Sequence, residues 1–88
     1  MTLERWRTFS RRDQLGHIGA EILRADMTMK SNKEGVPSII ERALELVDLA
    51  LSDQKWKNDS LLLWHLRDKL ARAYQGKERN LKKIYDYI

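Results

Sequence analysis

The chain reads as all-α: an up-down antiparallel bundle of three main helices and a shorter C-terminal fourth, in a single domain spanning residues 1–88. Three observations predict this. Apolar residues recur three and four positions apart in separate stretches, the period of a helix with one buried face. No run of five or more residues alternates apolar and polar as a strand does. Proline occurs once and glycine four times, too few for the many turns of a sandwich or barrel.

The first helix is predicted over 10–29. Ser10 is an N-cap, Asp13 places a negative charge in the first turn, and Leu15, Ile18, Ile22, Ala25 and Met29 form one stripe. Gly16 and Gly19 lower helix propensity, and their spacing predicts close packing against another backbone. The segment KSNKEGVP, residues 30–37, is a break rich in turn formers. The second helix is predicted over 38–51, opened by a capping box in which Ser38 and Glu41 satisfy each other's backbone amides. Ile40, Ala43, Leu44, Val47 and Leu51 make its stripe, and Ile39, Leu46, Leu49 and Ala50 widen it. So broad an arc predicts contact on two sides, with other helices or with a second subunit.

Residues 52–60 are a polar connection holding Trp56, ended by Asp59 or Ser60 as cap of a third helix over 60–75. Leu62, Leu63, Leu66, Leu70, Ala73 and Tyr74 share the buried face of that helix, and Gly76 stops it. Leu81, Ile84, Tyr85 and Ile88 mark the fourth helix over 79–88. It ends on an apolar residue without a cap, so either the natural chain continues or a partner covers that end.

Composition excludes several classes of function. With no cysteine there is no disulfide, thiolate metal site or cysteine nucleophile, which points to a reducing cytoplasm. Two distant histidines, His17 and His65, are too few for a zinc site, so neither metal nor cofactor is expected. No secretory signal is visible, and Leu61–Trp64 is far too short to span a bilayer. The net charge of +4 comes from 17 basic and 13 acidic residues, with basic clusters at Arg5–Arg12 and Lys77–Lys83. They form a phosphate-contacting patch only if the two ends meet.

Two short strings bear on chemistry: Arg12-Asp13-Gln14-Leu15-Gly16-His17, and Arg67-Asp68-Lys69-Leu70-Ala71-Arg72-Ala73-Tyr74. Both resemble the signature of the HEPN superfamily, an arginine and a polar neighbour followed by a histidine, often with a tyrosine two residues beyond. The resemblance implies a helical bundle whose dimer brings two copies of the motif together. In the RNase toxins of that superfamily, partnered with minimal nucleotidyltransferases, the motif works on RNA from a late helix. Arg67, Asp68 and Tyr74 match it in place, but Arg72 stands where the histidine belongs. Arginine stays protonated at neutral pH and cannot act as a base. The string with a histidine lies on the first helix, where the family keeps no site. The resemblance therefore implies no catalytic residue. It implies a binding role for Arg67, Asp68, Tyr74, Arg12 and His17, and at most weak, salt-sensitive RNA binding. ALELVDLALSD, residues 43–53, also resembles short bacterial helical proteins without an assigned activity.

The reading that follows is a cytoplasmic, non-catalytic helical interaction module, HEPN-like and homodimeric, with another protein as a further partner and no membrane contact. The dimer contact is expected at the Ile39, Leu46, Leu49 side or near Trp64. The alternative is an RNA-binding or RNA-cleaving protein of the toxin type. For His17, charge pairs with Asp13 and Glu21, one turn before and after it, are expected.

Overall fold

The structure, a computed structural model, describes all 88 residues and contains only helices and turns. Five α-helices follow in order: α1 (Leu3–Trp6), α2 (Arg11–Ser31), α3 (Val36–Leu51), α4 (Leu61–Tyr74) and α5 (Leu81–Tyr85). Single 3₁₀ turns, Lys33–Gly35 and Gln54–Trp56, sit in the two main connections. α3 packs against both α2 and α4, and α5 lies mainly against α2. No helix is long and apolar enough to cross a membrane.

The helix starts and stops follow local chemistry. Ser10 caps α2, its hydroxyl accepting from the Asp13 amide at 3.1 Å. α4 ends at Gly76, whose φ of +78° is the left-handed conformation glycine tolerates. There the Lys77 amide donates to the Arg72 carbonyl at 2.9 Å and the Gly76 amide to Ala73 at 3.1 Å, the paired bonds of a Schellman stop.

The expected capping box is absent. α3 begins two residues before Ser38, directly out of the 3₁₀ turn, with Pro37 in its first turn, where a missing amide costs nothing. Ser38 donates its hydroxyl to the Gly35 carbonyl at 3.1 Å instead of capping. The fourth helix is shorter than expected, running from Leu81 to Tyr85, and Asn80 caps it by accepting from the Lys83 amide at 3.1 Å. Ser60 precedes α4 but makes no side-chain cap bond, and Asp59 pairs with Arg11 at 2.6 Å.

The core draws on every α-helix: Trp6, Ile18, Ile22, Ile40, Val47, Leu63, Leu66, Leu70, Leu81 and Ile84 are all within 2% of full burial. The wide arc of α3 is consumed inside the chain, because α2 and α4 flank it and bury Ile39 and Leu46. Of that side, expected as a dimer contact, Ile39 and Leu46 belong to the core and Leu49 is half-buried against it.

Trp6 and Trp56 are buried as well, and between them lies Gln14, a polar residue with no exposed surface. Its amide nitrogen donates to the Trp6 carbonyl at 3.0 Å, the Phe9 carbonyl at 3.4 Å and Asp53 Oδ2 at 2.9 Å. Its oxygen accepts from Trp56 Nε1 at 2.7 Å. The Asp53 carboxylate also takes the Lys55 amide at 3.0 Å and the Lys55 ammonium at 3.1 Å, and that ammonium donates on to the Arg7 carbonyl. This network ties the N-terminal segment and α2 to the connection before α4.

The two glycines of α2 differ. A Cβ on Gly19 would come within 3.0 Å of the Tyr85 ring and 3.4 Å of Ile88, so α5 crosses α2 there. A Cβ on Gly16 would meet nothing within 4 Å. Gly16→Ala is therefore expected to gain helix propensity, stabilising by about 0.5–1 kcal/mol. Gly19→Ala must push the Tyr85 ring aside and is expected to lose about 1 kcal/mol net. Paired thermal melts check this; a Gly19→Ala protein as stable as Gly16→Ala would contradict the packing.

Candidate functional site

Arg67 and Tyr74, two turns apart on α4, face the flank of α3. Arg67 Nε donates to Asp48 Oδ1 at 2.8 Å, and the Tyr74 hydroxyl donates to Glu41 Oε1 at 2.6 Å. The acceptors are themselves two turns apart on α3, so the four residues form two rungs between helices running in opposite directions. Tyr74 is raised above its ordinary pKa first by this hydrogen bond and then by the negative charge of Glu41. All four side chains are substantially exposed or half-buried, so solvent screens both rungs as it does any surface pair.

The other residues singled out by the motif lie elsewhere. Asp68 pairs with Arg72 one turn on, at 3.1 Å, on the solvent side of α4. Arg72 is exposed, as its position on the helix requires. Arg12 and His17 are on α2, around a shallow hollow of about 430 Å³ that Phe9, Asp13 and Gly16 complete. His17 forms no pair with Asp13 or Glu21. Its ring lies against Phe9, centroids 4.8 Å apart, and near Trp6 at 6.0 Å, while Glu21 faces Arg24 at 3.8 Å. The aromatic contact wins because Phe9, at the turn into α2, reaches the imidazole before either carboxylate does. His65 sits edge-on to Tyr87, centroids 4.3 Å apart, with Nε2 buried and unpartnered. Neither histidine hydrogen-bonds to Arg67, so the structure brings together Arg67 and Tyr74 and leaves the rest of the motif dispersed.

Chemically, the α3–α4 flank offers an arginine and a phenol whose bonding atoms are held by carboxylates. An incoming phosphate would have to displace Asp48 and Glu41 and then sit beside them. No cluster of His, Cys, Asp and Glu is placed to hold a metal ion.

Two features that sequence reasoning passed over, the buried Asp53 and the Arg11–Trp56 contact, stand out beside one it expected, the surface near Trp64. Asp53 is 95% buried by its 5% exposure, and burial alone would push its carboxyl up. The Lys55 amide, the Gln14 amide and the Lys55 ammonium outweigh that and hold it below its ordinary value. Arg11 lies over the Trp56 ring at 4.3 Å while pairing with Asp59, which seals the edge of the network. On the outside of α4, Leu61 is 81% and Trp64 56% exposed, one turn apart. Together they form a small exposed apolar patch at the start of α4.

No family model matches this chain, and no match to it was found among curated proteins or among solved structures.

Proposed function

We propose that the chain is a cytoplasmic, non-catalytic helical interaction module, an up-down antiparallel bundle of HEPN-like kind that acts as a homodimer. The observation that carries this is the exposed Leu61–Trp64 pair, beside a hollow lined by Leu51, Lys57 and Ser60. Burying a large apolar side chain contributes about 1.5–3 kcal/mol, and a two-fold dimer would bury each of these twice. The state of the motif supports the non-catalytic part: Arg67 and Tyr74 are occupied by carboxylates, and no histidine bonds to Arg67.

Sedimentation equilibrium tests the reading. The expected result is a dimer at about tens of micromolar, converted to monomer by Leu61→Asp with Trp64→Ser. A wild-type monomer would overturn the dimer. RNA cleavage that is abolished by Arg67→Ala or by His17→Ala would overturn the non-catalytic assignment.

A further inference from the structure

α2 is the longest helix, 21 residues, and it carries two apolar lines. One, through Gln14, Ile18, Ile22 and Ala25, faces the core. At about 100° per residue the second, Gly16, Ala20, Leu23 and Met27, lies diametrically opposite, on the side turned furthest from the core. Gly16 and Ala20 are exposed, Leu23 is half-buried and Met27 is 71% exposed. A surface helix ordinarily puts charge on that side. Here three turns have none on the line, and a shallow groove of about 550 Å³ runs past Ala20, Leu23 and Met27. The small residues add a second feature. Gly16 has no packing neighbour within 4 Å to explain its cost to the helix, and it leaves the backbone open to close approach.

The charges beside the line decide what fits there. Within about 70° of the centre of the line lie Arg12, Arg24 and Lys30 against a single carboxylate, Asp13, with Asp26 further round at about 90°. Arg12 and Lys30 make no salt bridge, and Arg24 has only the loose 3.8 Å contact with Glu21. A second copy, laid antiparallel so that Met27 covers the partner's gap at Gly16 and Leu23 the gap at Ala20, would bring Lys30 beside Arg12 on the same flank. Like charges placed so oppose that pairing. A bilayer surface asks for a broad apolar face, and this one has only two large side chains. A helix with an apolar line and acidic flanks meets both the small residues and the cations.

We propose that the outer face of α2, from Arg12 to Lys30, is a docking groove for an acidic amphipathic helix of another protein. This rests on reading the chain as an interaction module but uses a different face from Leu61 and Trp64. The partner helix lays leucine-sized side chains over Gly16 and Ala20 and beside Leu23 and Met27, and sets its carboxylates against Arg12, Arg24 and Lys30.

The test uses two synthetic peptides of about 15 residues, each with leucines along one helical line, one flanked by glutamates and the other by lysines. Amide chemical shifts of the full chain are followed in titration. The expected result is saturable binding of the glutamate peptide below about 1 mM, with shifts centred on Gly16, Ala20, Leu23 and Met27 and affinity about tenfold above that of the lysine peptide. Ala20→Gln with Met27→Gln is expected to weaken it about tenfold. Arg12→Gln with Lys30→Gln is expected to erase the preference between peptides. These positions are exposed, and a far-ultraviolet spectrum checks that each variant folds. Equal affinity for both peptides, no shifts up to about 1 mM, or shifts centred on Leu61 and Trp64 would overturn the proposal. So would dimer dissociation by Ala20→Gln with Met27→Gln, which would make the occupant a second copy. Tighter binding of phosphatidylserine vesicles or oligouridine at this face would overturn it too. The Leu61→Asp, Trp64→Ser protein separates the two readings, since it loses the dimer and is expected to keep peptide binding unchanged.

Discussion

Gln14→Ala is expected to destabilise the protein by about 3 kcal/mol, near the upper end for a single polar substitution. Gln14 has no exposed surface and serves four partners, the carbonyls of Trp6 and Phe9, the Asp53 carboxylate and the Trp56 indole. Truncation leaves a cavity, strands the Trp56 indole N–H in a place water reaches poorly, and takes one donor from the Asp53 carboxylate, whose Oδ2 keeps only the Lys55 ammonium. Each orphaned group costs about 1–3 kcal/mol, partly recovered by relaxation. Against a total of about 5–15 kcal/mol this is a large fraction. The measurement is the urea midpoint with an unchanged slope. Gln14→Glu separates lost volume from lost hydrogen bonding: it keeps the size but puts a second carboxylate where the amide donates to Asp53 at 2.9 Å. That variant is expected to be at least as unstable at pH 7 and to recover as acid protonates one of the pair. A Gln14→Ala protein within about 1 kcal/mol of wild type would mean that the network contributes little.

Much of the fold is legible in the sequence because three helices have long, regular core stripes. Ser10 and Gly76 also act locally, and so mark one boundary each correctly. The start of α3 is not legible in the same way. Ser38 and Glu41 spell a capping box, yet Gly35 and Pro37 offer an earlier start, and the 3₁₀ turn joins directly onto it. α1, with four residues, is too short to show any period. Gln14 carries a visible signal: it stands one turn before Ile18, on the line that goes on to Ile22 and Ala25. Polarity alone assigns it to the surface. Its partners Asp53 and Trp56 are 39 and 42 residues away, so only the tertiary fold shows that the position is satisfied.

The candidate site was partly legible in the same sense. The spacing of Arg67 and Tyr74 puts them on one flank of α4. That Asp48 and Glu41 wait at matching heights on α3 depends on the direction and register of the helix pair, which no motif records. The second line on α2 was hidden differently: once Leu15, Ile18, Ile22, Ala25 and Met29 account for a helix, apolar residues on the opposite side pass as ordinary surface. They stand out only when the core is seen to be complete without them.

Asp53→Asn is expected to cost about 2 kcal/mol at pH 7 and to cost progressively less as the solution is made acid. The carboxylate accepts from the Lys55 amide, the Lys55 ammonium and the Gln14 amide, all donors. An asparagine keeps one acceptor and must turn an N–H₂ group toward a donor, so at least one contact becomes repulsive. In the wild type the folded carboxyl lies below its unfolded value of 3.8, because these donors outweigh the cost of burial. A depressed folded pKa makes the ionised form the one that folding prefers. Its contribution is complete above the unfolded value and is lost as pH falls through the folded one. The stability gap between wild type and Asp53→Asn should thus be flat near neutrality and narrow below about pH 4. Asp59→Asn is the comparison: that carboxylate also bonds a cation, Arg11 at 2.6 Å, but its side chain is 68% exposed. Its loss is expected to cost under about 1 kcal/mol. Urea melts of the three proteins from neutral to acid pH give the result. If Asp59→Asn proved the costlier change, the exposed Arg11 pair rather than the buried Gln14 network would be what fastens the start of α2 to the segment before α4.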